Sequence, residues 1–216
     1  MTNLDRAPKL IVFDLGRVLV RICDDWRHAC EVARVPWPGV ERTAEARARI
    51  MEAVGHLETA ACDLPAFCGR VAPELGLSAD EIAAVWDAYT RESFPGAAEL
   101  LDDLRAAGVP TACLSNTNAR HWQILTDPAG PNWNALSRLD HRFASHLIPA
   151  RKPDGPAYEA VERGTGYRGE AIVFFDDLEE NVAAAKTRGW RAHLVPRCEN
   201  PIPMIREILE REGVMA

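Results

Sequence analysis

Four short stretches of the chain carry side chains that could do chemistry together: Asp14, the run Ser115-Asn116-Thr117-Asn118, the pair Arg151-Lys152, and Asp176-Asp177 followed by Asn181. Among these types, a carboxylate can act as a nucleophile or hold a hard cation, while a hydroxyl or an ammonium group can hold an oxyanion. Acids gathered at one point repel each other unless a cation lies among them, so convergence of Asp14, Asp176 and Asp177 would call for a metal ion. Taken singly, each residue has an ordinary explanation. An Asp closing a strand usually serves a turn or a helix cap, Ser115 would be the N-cap of the helix that follows, and a lysine before proline is a solvated loop cation. Only convergence turns them into a site.

The elements that would bring them together are visible as apolar runs. Leu10-Ile11-Val12-Phe13 is a continuous run of strand formers stopping at Asp14, with Leu15-Gly16-Arg17 as the turn behind it, the pattern of a buried parallel strand. Thr111–Leu114 stopping at Ser115, and Ala171–Phe175 stopping at Asp176-Asp177, repeat it, and Arg191–Val195 predicts a fourth strand. Helical patterns fall at Ala97–Ala107, Pro156–Arg163 and Glu180–Arg188, with Gly108 and Gly189 as their stops. Strands alternating with helices imply a parallel sheet, and such sheets bind ligands beyond the carboxyl ends of their strands. If these strands are neighbours, residues about a hundred positions apart meet at one rim.

Residues 21–91 differ, with helix formers throughout, apolar positions at helical spacing as in Ala79–Tyr89, and no strand-like run before Phe94-Pro95-Gly96. The expected fold class is α/β, a Rossmann-like three-layer core with a parallel sheet and an inserted all-helical cap. Residues 1–20 and 92–216 would form the core, and residues 21–91 the cap over the strand ends. Pro201–Glu212 reads as a surface helix.

A net charge of −7 argues against a long contact with nucleic acid, which needs clustered Lys and Arg. It leaves room for a small anionic ligand at a local cation. The six cysteines form no C-x-x-C pair, the start Met1–Lys9 is polar, and Leu10–Phe13 is far too short to cross a membrane. These features predict reduced thiols, a cytoplasmic location and no membrane partner; monomer and homodimer are both left open.

In this order, four motifs resemble those of the haloacid dehalogenase-like superfamily: Ile11 to Leu19, Leu114 to Asn118, Arg151-Lys152-Pro153-Asp154, and Phe175 to Asn181. The resemblance spans nearly the whole chain. It implies a phosphomonoester hydrolase acting on a small phosphorylated metabolite through an aspartyl-phosphate on Asp14. Mg²⁺ would be held by Asp14, the Gly16 carbonyl and Asp177, with Asp176 and Asn181 behind these ligands. Ser115 and the N–H groups of Asn116 and Thr117 would hold the phosphate, and Lys152 would bridge nucleophile and phosphate. The charges fit the chemistry, because a carboxylate approaching a phosphate dianion needs cations and donors around both.

One position departs from the pattern. Most phosphatases of the superfamily carry a second Asp two residues after the nucleophile as general acid/base, a role worth about 10²- to 10⁴-fold; here that residue is Gly16. Three outcomes are open: Asp24, Asp25 or His28 substitutes, the substrate has a good leaving group, or hydrolysis is weak. The motifs look like the branch of bacterial sugar-phosphate phosphatases that includes α-glucose-1-phosphate phosphatase, which tolerates this glycine. The alternatives are a 2-haloacid dehalogenase and a non-catalytic relative that binds a phosphorylated ligand. His121 could touch substrate or sit beside a core Trp, and Trp26, Trp37 and Trp86 could form an apolar lid or packed core.

Overall fold

The structure is a computed structural model that describes residues 8–39 and 43–215; the polar start Met1–Ala7, residues 40–42 of the expected cap, and Ala216 lie outside the described residues. The chain begins with strand β1 (Leu10–Phe13), whose four residues are fully buried. It leaves the core through β2 (Val20–Ile22) into helices α1 (Trp26–Ala33), α2 (Ala44–Glu58), α3 (Leu64–Leu75) and α4 (Ala79–Tyr89), and returns through β3 (Thr90–Ser93). The rest alternates: α5 (Ala97–Ala106), β4 (Thr111–Ser115), α6 (Ala119–Thr126), α7 (Trp133–Leu136), β5 (His141–Ala144), α8 (Gly155–Thr165), β6 (Ile172–Asp176), α9 (Glu179–Thr187), β7 (Arg191–Leu194) and α10 (Ile202–Arg211).

The main sheet is parallel, with order β5-β4-β1-β6-β7. Side chains alternate across a strand, so Ile11, Phe13, Cys113, Val173 and Phe175 face one way, against α5 and the isoleucine face of α10. Leu10, Val12, Ala112, Leu114, Ile172 and Phe174 face the other way, against α8 and α9. Two covered faces make three layers, which is why β1 and β6 read as unbroken apolar runs. Edge strand β5 did not announce itself, because His141-Arg142-Phe143-Ala144 is half polar and only partly buried.

The helical cap is built from local signals. Asp25, Thr43, Asp63 and Ser78 cap α1 to α4 by accepting backbone N–H bonds, and Ser78 with Glu81 completes a capping box. Ile50, Leu57, Phe67, Val71, Leu75, Ile82 and Trp86 form its own apolar core. One correction concerns its ends: Val20 pairs with Ser93 and Ile22 with Thr90 in an antiparallel ribbon, so residues 21–91 are not wholly helical. Strands this short and polar are stable only because the fold brings both ends of the insertion side by side. No helix of the described residues is long and apolar enough to cross a membrane.

Candidate active site

Parallel register decides what meets at the rim. Phe13 lies beside Cys113 and Phe175, and the Asp14 N–H donates to the Phe175 carbonyl at 2.8 Å. Asp14, Ser115 and Asp176 therefore leave adjacent strand ends together. Lys152, 2% exposed, places Nζ 2.7 Å from Asp14 Oδ1 and 2.7 Å from Asp176 Oδ2. The other oxygen of Asp176 accepts the Leu178 N–H and Asn181 Nδ2, both at 2.9 Å. Asp176 is thus fully occupied by the protein, whereas Asp14 keeps an oxygen that Lys152 does not take. Asp177 makes a long contact to Arg17, at 3.7 Å.

Ligand atoms of Asp14, Asp176 and Asp177 all lie within 4.8 Å of one another. Burial, reinforced by Asp176 and Asp177, pushes the Asp14 carboxyl up to about 7 against the opposing pull of Lys152. The Asp177 carboxyl is also raised, by burial and then by Asp176. Burial alone would lower the Lys152 ammonium, but Asp14 and Asp176 outweigh it and hold the proton more tightly than usual. One buried ammonium does not balance this much negative charge, and the raised acids are the strain a divalent ion would relieve. An all-oxygen donor set, with oxygens left over on Asp14 and Asp177, fits a hard ion such as Mg²⁺. Gly16, whose carbonyl the family motif assigns as a further donor, lines the same cavity.

The stretch after β4 is arranged differently from expectation. Asn116 clamps the backbone of Lys152: its Nδ2 donates to the Lys152 carbonyl at 2.9 Å and its Oδ1 accepts the Lys152 N–H at 2.8 Å. The Thr117 N–H, expected to hold phosphate, is donated instead to Ser145 Oγ at 2.9 Å. The cap of α6 is Asn118, not Ser115, and Ser115 lines the cavity. Truncating Asn116 would orphan both backbone groups of Lys152, and an unmade buried bond costs about 1–3 kcal/mol. Asn116→Ala is therefore expected to lower stability by roughly that amount in urea unfolding, and a loss within error would mean the clamp is idle.

Core and cap enclose a cavity of 310 Å³, the size of a small-metabolite site. Asp24, Asp25 and His28 do not line it. Asp25 caps α1 by accepting the His28 N–H at 2.8 Å, and His28 Nδ1 accepts the Asp24 N–H at 3.2 Å, so these groups serve the turn before α1. Trp86 and Trp26 stack 5.6 Å apart and both line the cavity, whereas Trp37 packs against the core of the cap. His121 stacks on Trp86 and sits 2.7 Å from its carbonyl. Since a carbonyl only accepts, Nε2 carries the hydrogen, and burial pushes the ring down to about 4, keeping it neutral. Motif reading missed Glu58, at the end of α2, which lines the cavity and pairs with Arg151 at 2.9 Å.

Comparison with known proteins bears on the fold and the family. The chain is 31% identical over 135 residues to phosphatase MT3486 of Mycobacterium tuberculosis (strain CDC 1551 / Oshkosh), an alignment covering 61% of the chain and spanning 60% of that relative's length. A haloacid dehalogenase family enzyme of Bacteroides thetaiotaomicron, bt-2542, solved with magnesium and inorganic phosphate, shares the fold with TM-score 0.72 and 21% identity over 89% of this chain and 96% of its own. L-2-haloacid dehalogenase of Xanthobacter autotrophicus, solved with chloropropionic acid covalently bound, follows at TM-score 0.62 and 22% identity, covering 97% and 84%. The family model of the haloacid dehalogenase-like hydrolases matches residues 8–189, and the chain belongs to that family.

Proposed function

We propose that this chain is a Mg²⁺-dependent phosphatase that hydrolyses a small phosphorylated metabolite, a sugar phosphate, in the cytoplasm. The observation that carries the reading is the Lys152 ammonium held between Asp14 and Asp176, with Asp177 alongside, against a metabolite-sized cavity that Asp14, Lys152 and Asp177 line. Residues 1–20 with 92–216 act as the catalytic body, and 21–91 as the cap that selects the organic part of the substrate.

In this mechanism the Oδ2 of Asp14 attacks phosphorus and displaces the leaving oxygen, forming an aspartyl-phosphate that water then cleaves. Lys152 neutralises the nucleophile and a phosphoryl oxygen. Ser115 and Asn116 contact the phosphate, though the side-chain amide of Asn116 acts mainly by fixing Lys152. Asp14, the Gly16 carbonyl and Asp177 would hold Mg²⁺, which would supply positive charge against the negative charge on the phosphoryl oxygens. Asp176 and Asn181 keep Lys152 in place.

Two other readings have an observation each. A 2-haloacid dehalogenase shares the fold, but three clustered acids would repel a haloacid carboxylate. A non-catalytic phospholigand-binding protein is favoured by Gly16, where the expected acid is missing. A screen of phosphorylated metabolites with Mg²⁺ or with EDTA separates them. Phosphate release that EDTA abolishes supports the phosphatase, EDTA-insensitive halide release the dehalogenase, and binding without turnover the third.

A further inference from the structure

Building on the phosphatase reading, we propose that Glu58, delivered by the cap, is the general acid and base missing at Gly16. The place where that acid would normally stand carries no side chain, and a Cβ on Gly16 would crowd Ile22 Cδ1 at 3.3 Å. The proton carrier must then come from another wall of the cavity, and its titratable lining is short.

Asp14, Lys152 and Asp177 are already engaged as nucleophile, bridge and ion ligand. Arg17 and Arg151 do not release protons at working pH. Tyr89 has its hydroxyl pushed up by burial, away from the neutral range. His121 is neutral and bonded to the Trp86 carbonyl. Among the described residues Glu58 is the remaining acid of the lining, and burial raises its carboxyl against the pull of Arg151 and Lys152, the direction a proton donor needs.

The position of Glu58 is also held firmly. Its carbonyl lies 2.6 Å from Ser145 Oγ, the same hydroxyl that accepts the Thr117 N–H at 2.9 Å. Its carboxylate meets Arg151, the residue next to Lys152, at 2.9 Å. Even so, Oε2 is buried without a well-directed hydrogen bond, as is Arg151 Nε. Buried polar atoms left short of partners are uncommon, and here they border the cavity where substrate would sit.

The proton balance closes over the cycle. As Asp14 bonds to phosphorus and the ester P–O bond breaks, protonated Glu58 gives its proton to the leaving oxygen, releasing an alcohol. Glu58 carboxylate then takes a proton from water as that water's oxygen attacks phosphorus. The P–O bond to Asp14 breaks, phosphate leaves, and Asp14 and protonated Glu58 are restored.

The test is a series of aryl phosphates from p-nitrophenyl to phenyl phosphate, extended to glycerol 3-phosphate, with wild type, Glu58→Gln and Arg151→Gln. For Glu58→Gln, kcat/KM is expected to fall about 10²- to 10⁴-fold on glycerol 3-phosphate and less than about 10-fold on p-nitrophenyl phosphate. Loss of the base should also produce a burst of p-nitrophenol as the aspartyl-phosphate accumulates. Arg151→Gln, which keeps the carboxyl, should retain the shallow leaving-group dependence of wild type. An equal loss across the series without a burst would make Glu58 a binding residue and overturn the proposal, as would unchanged kinetics. If wild type itself releases no phosphate from any probe, the phosphatase reading falls first and takes this one with it.

Discussion

Asp14→Asn is expected to abolish turnover while making the metal-free protein more stable above pH 7. The amide is isosteric but a poor nucleophile, and removing the nucleophile of a covalent mechanism costs on the order of 10⁴- to 10⁶-fold in kcat. The stability effect follows from the Asp14 carboxyl being pushed up from 3.8 to about 7, chiefly by burial. A raised acid binds its proton more tightly in the folded state, so its contribution is complete below about pH 4 and is lost as pH rises through 7. Asn removes that loss. The full shift would be about 4 kcal/mol, but the Asp14 side chain is 13% exposed at a cavity wall, and solvent there reduces the gain to about 2 kcal/mol, or roughly 4–8 °C. Thermal melts in EDTA at pH 4 and pH 8 measure it: the two proteins should differ at pH 8 and converge at pH 4. Retained turnover in the variant would remove Asp14 from the mechanism, and equal melts at pH 8 would remove the electrostatic strain.

Lys152→Met should be the most damaging substitution in the core. It leaves Asp14 and Asp176 facing each other without the ammonium that contacts both at 2.7 Å, and an uncompensated buried charge costs about 3–5 kcal/mol. Phosphate release should vanish too, because nothing then bridges nucleophile and substrate. Adding Asp14→Asn removes one of the two carboxylates, so the double variant should regain about 1–3 kcal/mol relative to additivity in urea unfolding. Strict additivity would show that the three groups are not electrostatically coupled. A loss below about 1 kcal/mol for Lys152→Met would show that the charges are more solvated than their burial indicates.

Legibility in the sequence follows physical cause. Strands β1, β4 and β6 were readable because strands covered on both faces must be apolar throughout, and their polar last residues mark the rim. Strand β5 and the β2–β3 ribbon were not, since they owe their existence to neighbours that only the fold supplies. The helical character of the cap was readable from composition, but its contribution to the site was not. Glu58 carries no local motif, and its place at the cavity depends on how the end of α2 meets Ser145 and Arg151. Asp24, Asp25 and His28 are suitable by proximity in the chain, yet Asp25 caps α1 and the His28 ring accepts the Asp24 N–H.

By itself, the sequence determined the α/β class, the strand ends that carry Asp14, Ser115 and Asp176-Asp177, and the absence of an acid at position 16, because residue identity and periodicity are local properties. Tertiary structure alone decided which backbone donors stay free, which acid is spent on Lys152, and which cap residue reaches the cavity. Those outcomes depend on competition among partners at distances of a few ångströms, and the winners come from segments far apart in the chain.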